Sequence, residues 1–450
     1  MNAHSLFHSQ RAMRRQREAA VRRGVVAVLD IGTSKLACLI LQFTPERQAA
    51  ERGAANDDGL GGLAQGAFRV IGAHNTRSRG VDFGEVSAMD ETERAIRTAV
   101  QNAQKMAEVR VDHVIVGFSG GRPRSYGLSG DVRVENGEVT EMDVGAALAA
   151  CDLPDFGDDR EAIHAFPVNF TLDHRTGLSD PRGQIGNRLS VDMHLLTVDA
   201  ATVLNVLQCI RRCDLELAGL VVSSCASGLS ALIEDEQELG AACIDVGGGA
   251  TGISIFAKRH MIYADSVRLG GDHITRDISQ GLNLPLTVAE RLKTVNGGLV
   301  ATGVDDRDLI QITPDEDGRV SERRQITRSE LIGVMRPRME EILEEARHAL
   351  DAAGFEYLQG QRVVLTGGSS LIPGMDVLGT RVLGRQVRIG KPLRVMGLPQ
   401  AMTGPAFAGT VGLALHAAHP QDECWDFELP SDRMGARKVR RAIRWFKDNW

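Results

Sequence analysis

Three Gly-rich turns, each closing an apolar strand, carry the residues of this 450-residue chain best suited to chemistry. They read Asp-Ile-Gly-Thr-Ser-Lys at 30–35, Asp-Val-Gly-Gly-Gly-Ala-Thr at 245–251, and Thr-Gly-Gly-Ser-Ser-Leu-Ile-Pro-Gly at 366–374. Glycine lets the backbone turn tightly and approach a ligand with no Cβ between them, so successive N–H groups can face phosphate oxygens. Gly32, Gly247, Gly248, Gly249, Gly367 and Gly368 supply that freedom, with Ala250 and Ser369 completing the turns. Thr33, Ser34 and Thr251 add hydroxyl donors, Lys35 adds charge, and Asp30 and Asp245 suit a magnesium ion held through its waters. One Asp-x-Gly turn alone is more often structural. Three in this order, two of them opening equivalent hairpins, point to nucleotide binding. A P-loop does not fit, because no strand leads into G-x-x-x-x-G-K-[ST]; a Rossmann site does not fit, because strands and not helices follow the turns.

The elements that would position these turns repeat. A strand at 25–31 and a second directly after a polar turn form a hairpin, and the same strand–turn–strand unit returns at 241–256. Two copies in two halves imply duplicated domains facing one cleft. Residues 44–67 turn to Ala, Gly, Asp and Glu and read as a loop insertion. Helices are expected at 89–109, 139–150, 200–213, 226–233 and 337–353, with an Ala/Gly-rich one at 406–418. Residues 1–23 lack a clean apolar stripe and are expected to be a disordered basic extension; residues 421–435, polar and acidic with Pro430, read as a linker.

Composition narrows the class. A 43% hydrophobic and 25% charged chain of this length folds into two or more domains. Seven cysteines, at Cys38, Cys151, Cys209, Cys213, Cys225, Cys243 and Cys424, form no C-x-x-C pair, which fits buried free thiols in a reducing compartment. No apolar run spans a bilayer and no signal peptide opens the chain, so a cytoplasmic location is expected. A net charge of -7 argues against nucleic acid as a partner. Both ends are nevertheless cationic. At the C-terminal end, Val439, Ile443, Phe446 and Trp450 fall on one stripe of a helix while Arg437, Arg440, Arg441, Arg444 and Lys447 take the other side, with Lys438 adjacent and Trp445 at headgroup height. Residues 436–450 are therefore expected to lie on an anionic membrane.

The three turns resemble the phosphate 1, phosphate 2 and adenosine motifs of the actin, Hsp70 and sugar-kinase superfamily. That resemblance implies a two-domain actin-like α/β fold, ribonuclease H-like in each half, with ATP and Mg2+ in the cleft. Ala-Glu-Arg-Leu-Lys at 289–293 looks like the helix that contacts the nucleoside in bacterial actins, which would add Glu290 and Lys293 to the site; an i to i+3 ion pair explains them equally well locally. A closer similarity, from about residue 24 to 418, is to the FtsA family of bacterial cell-division proteins. It rests on V-D-H-V-I-V-G-F-S-G, E-D-E-Q-E-L-G-A-A-C-I-D-V-G-G-G, V-V-L-T-G-G-S-S-L-I-P-G and V-R-I-G-K-P, with a basic helix after a linker.

The resemblance implies this division: domain 1A in residues 24–110, 197–240 and 393–420; subdomain 1C in 111–196; domain 2A in 241–281 and 337–392; subdomain 2B in 282–336. It implies self-association into filaments, the C-terminal peptide of FtsZ bound at 2B, later division proteins recruited, and a peripheral position on the cytoplasmic face of the cell membrane at the division site. Hsp70-type relatives carry a carboxylate where residues 223–229 read Ser-Ser-Cys-Ala-Ser-Gly-Leu, so weak or absent ATP hydrolysis is expected. Three other readings fit the sequence less well. A small-molecule kinase needs an aspartate base beside the cleft and has no use for a basic tail; an Hsp70-like chaperone needs a peptide-binding domain for which too little chain remains; a pilus-assembly actin homologue lacks such a tail.

Overall fold

The computed structural model describes residues 10–43, 68–152, 159–312 and 324–427. The expected 44–67 insertion and 436–450 amphipathic helix lie outside these residues. After helix α1 (Gln10–Arg22), three antiparallel strands follow, β1 (Val25–Ile31), β2 (Lys35–Phe43) and β3 (Phe68–Arg77). A small hairpin of β4 (Val81–Asp82) and β5 (Glu85–Val86) leads into α2 (Met89–Ala107). Asp90 and Glu91 favour the N-terminus of α2 and Lys105 its C-terminus, through the helix dipole, while Ala95, Ile96, Ala99, Val100 and Ala103 form its buried stripe. β6 (His113–Phe118) then pairs parallel with β1.

The chain leaves this sheet for a separate layer: β7 (Arg124–Arg133), α3 (Glu141–Ala149), β8 (Arg160–Leu172), β9 (Arg175–Leu178) and β10 (Arg188–Asp199), in the antiparallel order β7-β10-β8-β9. Its own apolar cluster, including Val144, Leu148, Phe170 and Leu195, packs α3 on the sheet. The buried Arg160 pins the junction, donating to Thr197 Oγ1 at 3.0 Å, to Asp199 at 2.8 Å and to the Arg122 carbonyl at 2.8 Å. α4 (Ala200–Arg212) and β11 (Glu216–Val222) complete the first sheet, whose order is β11-β6-β1-β2-β3.

α5 (Ser223–Ala231) and α6 (Glu234–Leu239) lead to a second copy: antiparallel β12 (Ala241–Val246), β13 (Thr251–Ala257) and β14 (His260–Val267). α7 (Gly271–Gly281), α8 (Leu286–Asn296), the hairpin β15 (Leu309–Ile312) and β16 (Arg324–Thr327), and α9 (Arg328–Ala352) follow, then β17 (Arg362–Thr366), α10 (Met375–Leu383), β18 (Val387–Ile389) and α11 (Ala408–Ala418). The second sheet runs β14-β13-β12-β17-β18, with β17 and β18 parallel to β12. Strand for strand it repeats the first. α5 and α11 cross between the two domains at close range: a Cβ on Gly412 would collide with the Ala226 carbonyl, and one on Gly228 with the Phe256 ring.

Three expectations are corrected. Residues 10–22 are helical, not disordered, because long arginine stems cover apolar surface while their charged heads find partners. Arg17 is buried and lies 3.2 Å from His416 Nε2, and Arg14 pairs with Asp422 and Asp426. The start of the expected linker, 421–427, is docked: Cys424, Trp425 and Phe427 join the apolar cluster of the four-stranded layer, and Glu423 accepts from the Ala165 amide at 2.9 Å. The helix expected from 337 begins nine residues earlier, capped by Thr327, whose Oγ1 accepts from the Glu330 amide at 3.1 Å. Pro337 sits inside it and forfeits one bond to the Gly333 carbonyl.

Trp425→Ala is expected to lower unfolding free energy by about 2–4 kcal/mol through the cavity it leaves. It should also speed hydrogen exchange at the Ala165 amide. Unchanged exchange there would show that 421–427 is not held against β8.

Candidate functional site at the double hairpin cleft

The two hairpin turns are built alike. Asp30 occupies the position in β1 that faces Ala37 and Gly117 on its neighbours, and Asp245 the position in β12 that faces Gly252 and Thr366. Each turn is closed by the same bond, Gly32 N to the Lys35 carbonyl and Gly247 N to the Ala250 carbonyl, both 3.1 Å. The turns meet face to face. A Cβ on Gly248 would collide with Ser34 Oγ, and one on Gly249 with Thr33 Oγ1, so the approach requires glycine. The third turn begins at Gly367, whose φ of +87° and proximity to Asp245 Oδ1 both exclude a side chain. Gly368 differs: a Cβ there would meet only Ala406 Cβ at 4.0 Å, because it faces the open cleft.

Together the turns enclose a cavity of about 140 Å³. Asp30, Gly32, Thr33, Ser34, Lys35, Asp245, Gly247, Gly248, Gly249, Ala250, Gly367 and Gly368, all singled out in the sequence, line it. Four others do not. Thr251 is buried and its hydroxyl donates to the Leu269 carbonyl at 2.8 Å. Ser369 ties the third turn to the second, donating to the Gly247 carbonyl at 3.1 Å. Glu290 and Lys293 form the ion pair that their spacing allows, at 2.6 Å, and Lys293 also donates to the Gly271 carbonyl at 3.0 Å and Thr275 Oγ1 at 2.8 Å. They stand behind the Gly271 turn and off the cavity wall.

The electrostatics of the cleft follow from burial. Thr410 Oγ1 donates to Asp30 Oδ2 at 2.8 Å, Ser223 Oγ to Asp30 Oδ1 at 3.4 Å, and Ser227 Oγ to Asp245. Hydroxyls are weak compensation for lost water, and burial raises the pKa of Asp30 and takes that of Asp245 to about 6. Burial likewise lowers Lys35 to about 8, against the pull of the two carboxylates. The Lys35 ammonium donates to the Ala406 carbonyl and stands 3.4 Å from the centre of the Phe407 ring. Among the described residues lining the cavity, Lys35 is the one cation against two carboxylates. The imbalance suits a divalent cation. Two carboxylates on the cavity wall are a donor set that fits magnesium, which keeps several waters and takes one or two carboxylates plus phosphate oxygens.

Sequence reasoning missed Gly409 and Thr410, and placed the 223–229 segment near the site without the bonds of Ser223 to Asp30 and Ser227 to Asp245. Gly409 matters by absence: a Cβ there would press on Asp30 Oδ2 at 3.2 Å. The signal was the small-residue pair Gly409 and Gly412 in one helix, which marks a close approach.

Comparison with known proteins adds an independent line. The family model "Cell division protein FtsA" matches residues 242–412, and the model "SHS2 domain inserted in FTSA" matches 120–197, the four-stranded layer. The FtsA of Agrobacterium fabrum is 37% identical over 435 residues, covering 95% of this chain and 96% of that protein. The FtsA of Rhizobium meliloti is 39% identical over 431 residues, with the same coverage. Among solved structures, the PilM-PilN type IV pilus biogenesis complex superposes with a TM-score of 0.57 at 16% identity, over 88% of this chain and 99% of that one, a likeness of fold alone.

Asp245→Asn tests the electrostatics without a ligand. In the folded chain the carboxyl binds its proton more tightly than in the unfolded one, so its charge opposes folding above pH 6 and the opposition fades as pH falls from about 6 towards 3.8. The variant should raise the melting temperature of the ligand-free protein at pH 7.5, by at most about 3 kcal/mol in free energy, and the gain should shrink towards pH 4. A lowered melting temperature at pH 7.5 would mean that the ionised carboxylate is satisfied in place.

Proposed function

The chain belongs to the FtsA family of cell division proteins, and from that premise we propose that it is an ATP-binding, actin-like protein that assembles on the cytoplasmic face of the cell membrane at the division site. There it tethers FtsZ, whose C-terminal peptide docks in residues 282–336, and recruits later division proteins. The observation that carries the nucleotide reading is the cleft itself: two equivalent hairpin turns and a third Gly turn converge on two buried carboxylates and one lysine.

Backbone N–H groups of Thr33, Ser34, Gly248 and Gly249, at the tips of turns closed through Gly32 and Gly247, bind the phosphates, and Lys35 neutralises part of their charge. Asp30 and Asp245 hold magnesium through its waters, and the ion supplies charge neutralisation that the protein alone lacks. For hydrolysis the cleft provides little. Ser223 stands where a base would be needed, and its hydroxyl is spent on Asp30. General-base assistance is worth roughly 10²- to 10⁴-fold, so ATP acts chiefly as an assembly ligand. The membrane reading rests on the separated apolar and basic faces of residues 436–450, where burying the apolar stripe is reinforced by attraction to anionic lipid and multiplied when subunits polymerise.

Gly368→Asp introduces a carboxylate where a Cβ meets nothing nearer than Ala406 Cβ at 4.0 Å, so the variant should fold and lose Mg-ATP binding by calorimetry. Unchanged affinity would remove this cleft as the nucleotide site. Single-turnover hydrolysis with magnesium should run well below the roughly 1–100 s⁻¹ of kinases; a rate in that range would reveal a base not accounted for. Deleting residues 437–450, or changing Phe446 and Trp450 to Glu, should leave ATP binding intact and release the protein from anionic vesicles. Continued pelleting of the deletion would show that the tail is not the anchor.

A further inference from the structure

The β4–β5 hairpin contacts the first phosphate turn, the second domain and the entry to the four-stranded layer. Its two-residue tip, Phe83–Gly84, has φ of +53° and +78°, the left-handed pair that a tight primed turn requires. Glycine or asparagine would meet that demand at lower cost; a bulky phenylalanine in the left-handed region is uncommon and persists where its surroundings hold it. Here they do. The Phe83 ring lies under the Arg268 guanidinium at 4.7 Å and beside the His273 ring at 5.7 Å, and both of those residues belong to the second domain. They flank the Gly270–Gly271 turn, whose neighbouring amides bind the second phosphate turn: Gly271 N donates to the Gly247 carbonyl at 2.9 Å and Asp272 N to the Gly248 carbonyl at 2.8 Å.

The same hairpin grips the first phosphate turn. Gly84 N donates to Thr33 Oγ1 at 2.9 Å, which leaves the Thr33 hydroxyl proton free to point elsewhere, into the cleft that Thr33 lines. Glu85 Oε1 accepts from Arg268 at 3.1 Å across the domains and from Gly121 N at 3.3 Å at the entry to the four-stranded layer. Gly84 and Gly120 lie so close that a Cβ on either would collide with the backbone of the other turn.

We infer that Phe83 and Glu85 form a latch between the two domains, holding the cleft shut over the phosphate turns and setting how fast a bound nucleoside triphosphate leaves. Both act through another residue, Arg268, and are positioning residues. The latch rests on the nucleotide reading above. Because Glu85 also holds the Gly121 amide, release of the latch loosens the entry to the four-stranded layer in the same motion.

The test is the dissociation rate of a fluorescent ATP analogue with Mg2+, chased by excess ATP, on the full chain. Phe83→Gly removes the ring and relieves the left-handed strain, so the melting temperature of the nucleotide-free protein should not fall while koff rises about tenfold. Glu85→Gln, which keeps an acceptor for Gly121 but loses the charge pair, and Arg268→Gln should each raise koff several-fold. Arg268→Gln removes the partner of both Phe83 and Glu85, so adding Glu85→Gln to it should raise koff by a much smaller factor than Glu85→Gln gives alone. An unchanged koff in Phe83→Gly and Arg268→Gln, or multiplicative effects in the double variant, overturns the latch while leaving the nucleotide site standing. Failure of the wild-type chain to bind the analogue overturns the nucleotide reading, and the latch with it.

Discussion

Two carboxylates buried at equivalent strand ends, with one lysine between them, are the constraint on which the molecule is built. Asp30 and Asp245 sit where duplicated sheets face each other, and neither is compensated by more than hydroxyls and the partly desolvated Lys35. A buried carboxylate without a full partner opposes folding, and such an arrangement is kept where something binds to it. The glycines around it are needed for the same reason: any side chain at Gly248 or Gly249 would fill the space between the two turns.

The surrounding elements follow from holding those two strand ends at the right separation. Each sheet presents its aspartate from a central strand, which fixes its height. α5 and α11 cross between the sheets on small residues, and each supplies hydroxyls to the carboxylates: Ser223 and Ser227 from one helix, Thr410 from the other. The helices that join the domains are thus also the floor of the site. The four-stranded layer is tied to this frame at Arg160, at the Gly120–Gly121 turn and along β14, where Ser125 Oγ both donates to the Ala264 carbonyl and accepts from its amide, each at 2.8 Å.

Much of this was legible in the sequence, because strand ends followed by Asp-x-Gly turns are local signals and their repetition exposes a duplicated fold. Lys35, both aspartates and six of the glycines lie on the cavity wall for that reason. What stayed hidden depends on contacts between distant segments. Thr251 reads as a ligand donor, yet its hydroxyl donates to the Leu269 carbonyl, and of the two readings open for Lys293 the ion pair with Glu290 forms. Residues 10–22 and 421–427 each read as loose chain alone; packed side by side, Arg14 and Arg17 of one face Asp422, Glu423 and Asp426 of the other, and the order becomes intelligible. Phe83 gave no signal at all, since an aromatic residue in a short turn announces nothing about the arginine across a cleft.

The proposed function requires a cation to arrive with the nucleotide and meet the paired carboxylates. It is tested most directly by titrating ATP into the protein calorimetrically at pH 7.5 with millimolar Mg2+ and again with a chelator. Affinity should be at least tenfold tighter with Mg2+ and should decline as pH drops below 6, where Asp245 takes up a proton. Equal affinity in the two buffers, unchanged between pH 7.5 and 5.5, would contradict the account.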